Sequence, residues 1–158
     1  NVEPGTIVET CPAGINILSR IAEAIGCFGG GALIIDYGHD GSVVGNTFQA
    51  VRGHKYCSPL EWPGDTDLTS HVNFGQLIEA ATSLTTNVYG PIKQSVFLQS
   101  LGARERAEAL KMNANEAERE KIEIAIRRLI DDREMGKMFK ALAISRSDML
   151  PPPGFEIE

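Results

Sequence analysis

The sequence predicts one α/β domain, and three observations carry that reading. First, Ala32-Leu33-Ile34-Ile35 is a short apolar run with two β-branched residues, set between Gly29-Gly30-Gly31 and the polar turn Asp36-Tyr37-Gly38-His39-Asp40-Gly41. Such a run reads as a strand buried on both faces of a helix-covered parallel sheet. Second, a helical stripe precedes this run, and another helix and strand follow it after a long polar stretch. Third, 158 residues with 42% hydrophobic content suit one domain with a sizeable core.

The elements follow in order. Residues 6–10 read as a short strand or extended entry. Pro12 suits the first turn of a helix. Ile15, Leu18, Ile21, Ala22 and Ile25 then recur at helical spacing, and Gly26 is expected to stop the helix. The buried strand covers 32–36. Residues 37–70 form a long glycine-rich connection, of the length that is usually functional or disordered. Within it, 47–54 alternates well enough for a hairpin arm, and Trp62-Pro63-Gly64-Asp65 is a turn. Asn73 and Gln76 have capping-box spacing ahead of a helix with Phe74, Leu77, Ile78 and Ala81 on one face.

Residues 85–89 read as the next strand, closed by Gly90-Pro91. A short helix with Phe97, Leu98 and Leu101 ends at Gly102, and 103–111 continues as helix. Asn115 and Glu118 form a second capping box before the stripe Ile122, Ile126, Leu129 and Ile130. Residues 139–144 read as a final strand, and Pro151-Pro152-Pro153 is expected to end the folded part. The order implies a domain over 1–146 with a helical insertion at about 93–134, then a proline-rich tail over 147–158. There is no internal repeat.

A net charge of −6 carries no electrostatic footprint for nucleic acid. No apolar run approaches membrane-spanning length. Cys11, Cys27 and Cys57 are odd in number and far apart, which suits reduced thiols inside a cell. The opening Asn1-Val2-Glu3-Pro4 reads as the middle of a protein, so an earlier half of the chain is expected.

Ligands of open α/β sheets sit beyond the carboxyl ends of the strands, which directs attention to residues 36–71. Asp36 and His39 flank Gly38 and read equally as an orienting acid–base pair or as a hydrogen-bonded turn. Arg52 and His54 bracket Gly53 as an anion-facing edge or a solvated loop. Asp67, Thr69 and His71 alternate, so one extended face would carry all three, either lining a site or capping the next helix. The three histidines and nearby aspartates raise a metal site, but no two have helical ligand spacing, and no metal is assigned. Gly29-Gly30-Gly31 precedes a strand, whereas phosphate loops follow one.

Several stretches together resemble one family. They are Gly31-Ala32-Leu33-Ile34-Ile35-Asp36-Tyr37-Gly38-His39, Thr47-Phe48-Gln49-Ala50-Val51-Arg52-Gly53-His54 and Asp65-Thr66-Asp67-Leu68-Thr69-Ser70-His71-Val72-Asn73-Phe74. Gly90-Pro91-Ile92-Lys93-Gln94, Phe97-Leu98 with Leu101-Gly102, and Met135-Gly136 complete the set. In that order they are similar to the C-terminal half of S-adenosylmethionine-dependent methyltransferases of the MidA type. Mitochondrial relatives are arginine methyltransferases that assist respiratory complex I assembly.

The resemblance implies a Rossmann-like class I methyltransferase sheet with its last strand antiparallel. Residues 32–36, 85–89 and 139–144 would be its fifth, sixth and seventh strands. It implies S-adenosylmethionine as cofactor, held mainly by an N-terminal half, with no cofactor-binding residue in this chain. A protein substrate follows, such as a complex I subunit, in the bacterial cytoplasm or the mitochondrial matrix. Asp36, Tyr37, His39, Arg52, His54, Asp67, Thr69 and His71 are the candidates for the substrate cleft. A sheet cut before residue 32 would expose a strand edge and favour a homodimer. The alternatives are a non-catalytic binding or assembly module and, more weakly, a metal-dependent hydrolase.

Overall fold

The structure, a computed structural model, describes residues 3–42, 45–82 and 85–156. The ends of the expected domain and tail, residues 1–2 and 157–158, therefore lie outside the described residues.

Helix α1 (Pro12–Phe28) starts with Pro12 in its first turn, as its fixed φ favours. It passes through Gly26 and ends at Gly29, whose φ is 81°. Gly26 is therefore not the stop. A Cβ there would come within 2.4 Å of Thr85 Oγ1, so its lack of a side chain serves close packing. Residues 6–10 form no strand, and Thr10 instead donates its hydroxyl to Gln76 Oε1 at 3.2 Å.

Strand β1 (Gly31–His39) is longer than expected. The connection beyond it contains three short strands, β2 (Gln49–Arg52), β3 (Lys55–Cys57) and β4 (Asp67–Thr69), paired as β3-β2-β4 in a separate sheet. Strand β5 (Val72–Asn73) then leads directly into α2 (Phe74–Ala81). Asn73 Oδ1 accepts the Gln76 N–H at 3.2 Å, one half of a capping box.

Strand β6 (Thr86–Lys93) runs on through Gly90-Pro91, where the sequence had suggested an end; the register to its neighbour shifts between Tyr89 and Ile92. Helices α3 (Gln94–Ser100), α4 (Ala103–Met112), α5 (Glu116–Ile130) and α6 (Met135–Met138) separate it from β7 (Phe139–Arg146). Asn115 and Glu118 complete the capping box of α5 reciprocally, at 3.0 Å in each direction.

The main sheet has the order β5-β1-β7-β6. β7 is antiparallel to both β1 and β6, and among the described residues the one parallel pairing joins β1 to β5 at Gly38–Val72 and His39–Asn73. The buried-strand reading of 32–36 needs correction. Ala32 and Ile34 pack with Leu18, Ala22 and Ile25 of α1, but Leu33 is 52% and Ile35 42% exposed. On that face Phe97 and Phe155 pack over Ala141 and Ala143 of β7, which leaves the neighbouring residues of β1 open. The strand covered on both faces is β7, where residues 141–145 are all buried.

Pro151-Pro152-Pro153 does not end the packed part. Phe155, beyond it, is 5% exposed, with its ring 5.1 Å from that of Phe97. Among the described residues no helix is long and apolar enough to cross a membrane.

The junction of β1 and β5 depends on Gly38, where a Cβ would lie 2.1 Å from the Val72 carbonyl oxygen. Relief requires the two backbones to separate. We predict that Gly38→Ala lowers unfolding free energy by about 3 kcal/mol or more, since backbone overpacking has few escapes. Denaturant titration checks this, and an unchanged midpoint would mean that β5 does not press on β1.

Candidate functional site

The carboxyl end of β1 opens onto a cleft of about 360 Å³. α1 forms one wall with Gly14, Ile15, Leu18 and Ile21, and α2 forms another with Gln76 and Leu77. Ile34 belongs to the apolar interior, and Glu9, Asp36, Ser70, His71 and Asn73 add polar groups. An apolar cleft with a few convergent polar groups is the usual form of a small-ligand or side-chain site.

Local chemistry places each polar group. Asp36 Oδ1 accepts the Tyr37 N–H at 2.7 Å, which turns its carboxylate back along the chain. Tyr37 lies opposite Phe139 in the β1–β7 register, with the rings 5.7 Å apart. The His71 ring meets Tyr37 edge-on at 5.3 Å. His39 is buried at 9% exposure, and its Nδ1 accepts the Gly41 N–H at 3.1 Å. That bond makes His39 part of the turn. In the same turn, the hydroxyl and N–H of Ser42 hold the Asp40 carboxyl below its ordinary range.

The candidates thus divide. Asp36 and His71 line the cleft; Tyr37 does not and is linked to it only through its contact with the His71 ring, while His39, at the end of β1, is held by its bond to Gly41. Arg52, His54, Asp67 and Thr69 do not line the cleft. Arg52 stacks its guanidinium 4.7 Å from the centre of the Trp62 ring. His54, with φ 62°, sits in the two-residue turn between β2 and β3. Asp67 and Thr69 pair with Val51 and Gln49 inside the small sheet. The shared face expected for Asp67, Thr69 and His71 is broken because β4 ends at Thr69, and only His71 reaches the cleft. Among the described residues no three His, Cys, Asp or Glu side chains converge as metal ligands do.

Two residues that the sequence did not single out matter here. Glu9 Oε1 accepts the Thr47 N–H at 2.9 Å, and its other oxygen takes the Thr47 hydroxyl. Thr47 Oγ1 in turn accepts the His71 N–H at 2.9 Å. The Thr47 hydroxyl and N–H hold the Glu9 carboxyl below its ordinary value, against the opposing effect of burial.

The fold and cleft define a class: an α/β sheet whose last strand lies antiparallel between two others, with a site at a strand's carboxyl end. A family profile described as putative S-adenosyl-L-methionine-dependent methyltransferase matches residues 1–92, and the chain belongs to that family. The mitochondrial protein arginine methyltransferase NDUFAF7 homologue of Caenorhabditis elegans is 36% identical over 137 residues, which cover 86% of this chain and 32% of that protein. For the Homo sapiens protein arginine methyltransferase NDUFAF7 the identity is 35% over 138 residues, covering 87% and 31%. The chain thus spans about a third of the length of these relatives.

Two solved structures from Burkholderia thailandensis share the fold. An uncharacterised protein has a TM-score of 0.79 at 24% identity, covering 93% of this chain and 40% of that one. Another, bound to S-adenosyl-homocysteine, has a TM-score of 0.76 at 23% identity, covering 93% and 39%.

The glycine run before β1 is not the family's cofactor loop. Gly29-Gly30-Gly31 precedes β1, where a cofactor loop must follow a strand and open a helix. Glu9 and Asp40 are already engaged by Thr47 and Ser42.

Because folding lowers the pKa of Glu9, its stabilisation is present above the ordinary value of 4.5 and is lost as pH falls through the folded value. We expect the stability difference between wild type and Glu9→Gln to be flat above about pH 5 and to shrink below it. Denaturant midpoints across pH measure this, and a constant difference down to pH 3 would exclude the bond.

Proposed function

We propose that this chain forms the acceptor side of an S-adenosylmethionine-dependent protein arginine methyltransferase. The observation that carries this reading is the family match over residues 1–92, which contains the whole strand-end cleft. In this reading residues 1–146 are the C-terminal half of the catalytic domain, and about 93–134 are a helical insertion. Segments outside these 158 residues hold most of the cofactor.

The chain's own residues act on the acceptor. Asp36 holds the guanidinium by charge and hydrogen bonding, and the apolar walls from α1 and α2 take the alkyl stem. His71, kept edge-on to Tyr37, faces the reacting nitrogen and takes up the proton it loses. Fixing donor and acceptor together is the main service such a site performs.

The named relatives are mitochondrial arginine methyltransferases, and the structural neighbours are bacterial. A protein acceptor in the mitochondrial matrix or a bacterial cytoplasm, such as a respiratory complex I subunit, fits this reading. Residues 31–37 of β1 pair with β7 on one side, while β5 meets only Gly38 and His39 on the other. That edge suits the rest of the domain or, failing it, a second copy of this chain.

The test is calorimetric titration of S-adenosyl-homocysteine, into this chain and into a version extended with the family's preceding segments. Binding by the extended protein alone supports the reading; binding by neither overturns it. In the extended protein, Asp36→Asn and His71→Ala should each lower methyl transfer to an arginine peptide by about a hundredfold, with little change in melting temperature. Equal loss of activity and stability would give these residues a structural role instead.

A further inference from the structure

The connection from β1 to β5 leaves the main sheet at residue 40 and returns at Val72, carrying the small sheet β3-β2-β4 between. Its outgoing leg passes Thr47, just before β2, and its returning leg passes His71, just after β4. Both legs meet at one hydroxyl. Thr47 Oγ1 donates to Glu9 and accepts the His71 N–H at 2.9 Å, while the Thr47 N–H donates to the other Glu9 oxygen at 2.9 Å. Glu9 precedes the first turn of α1, so the hydroxyl ties both legs to the helix that walls the cleft.

A hydroxyl is among the few groups that can donate and accept at once. Valine has the same shape and can do neither. The consequence falls on His71, whose main chain is fixed by Thr47 and whose ring rests against Tyr37 at 5.3 Å.

We propose that Thr47, buttressed by Glu9, is a positioning residue for His71 of the acceptor cleft, whose ring it keeps against Tyr37. The catalytic consequence rests on the methyltransferase reading; the placement of His71 does not.

The experiment separates the two. In the 158-residue chain, nuclear magnetic resonance follows the exchange of the His71 amide and the ring signals of His71 and Tyr37. The His71 amide of the wild type should exchange at least tenfold more slowly than an unstructured one. Free exchange in the wild type would overturn the proposal without any variant. Thr47→Val should abolish the protection and shift both rings, and Thr47→Ser should restore both. In the protein extended with the family's preceding segments, Thr47→Val should lower kcat for an arginine peptide on the order of tenfold or more, with KM changed less than threefold. Thr47→Ser should keep kcat near wild type.

Unmoved rings in Thr47→Val, or a serine variant as impaired as the valine variant, would overturn the positioning role. Wild-type protein that fails to transfer methyl groups while His71 responds as described would instead overturn the methyltransferase reading.

Discussion

Every part of this structure depends on β7 being held between two strands. It is antiparallel to β1 on one side and to β6 on the other, and it joins halves that otherwise share no ladder. Its residues 141–145 are all buried. Ala141 and Ala143 present a low surface on which Phe97 and Phe155 rest, and Ile144 on the opposite face joins the α1 cluster. The small residues are what let two aromatic rings lie close to the sheet, since interiors tolerate little unfilled or overfilled space. With β7 in place, β1 is supported over 31–37, and its carboxyl end can serve as a platform.

The platform is then shaped by backbone proximity more than by charge. Gly38 lets the Val72 carbonyl approach, and Gly75 lies where a Cβ would come within 2.8 Å of the Asp40 carbonyl oxygen. These approaches bring α2 up against the turn after β1. Asp36 and His71, distant in sequence, thereby line one cleft. The acids near it are mostly engaged by N–H groups and hydroxyls, so the cleft has defined polar positions before any ligand enters.

Much of this was legible in the sequence, for reasons that can be named. Helices α1, α2 and α5 declare themselves by apolar periodicity and by Pro12, Asn73 and Asn115, because caps and stripes are local features. The apolar run 32–35 locates β1, although the change to polar residues at Asp36 is not its end, since the strand continues to His39. What stayed hidden was non-local. Which apolar strand is covered on both faces depends on sheet order, so β1 looked fully buried and β7 only weakly patterned. Phe155 follows three prolines and gives no local sign of being core. The link from Glu9 through Thr47 to His71 joins three segments without a shared motif. The small sheet disguised Asp67 and Thr69 as site residues, because alternation reports a face but not what that face meets.

The position of β7 also bears on how the chain comes to be folded. The strand at the centre of the sheet is the last of the described strands in the sequence, and its first partner is the earliest: Gly31 pairs with Ser145. During synthesis, β1 and β6 emerge while the strand between them is still unmade. The small sheet is local enough to form early, but these strands can close into the main sheet only once β7 has been made. Until then the apolar faces of β1 and β6 stand open in a nascent chain, the condition under which strands find wrong partners. A sheet whose joining strand is made after both of its neighbours gains little from folding stepwise and depends on protection until β7 arrives.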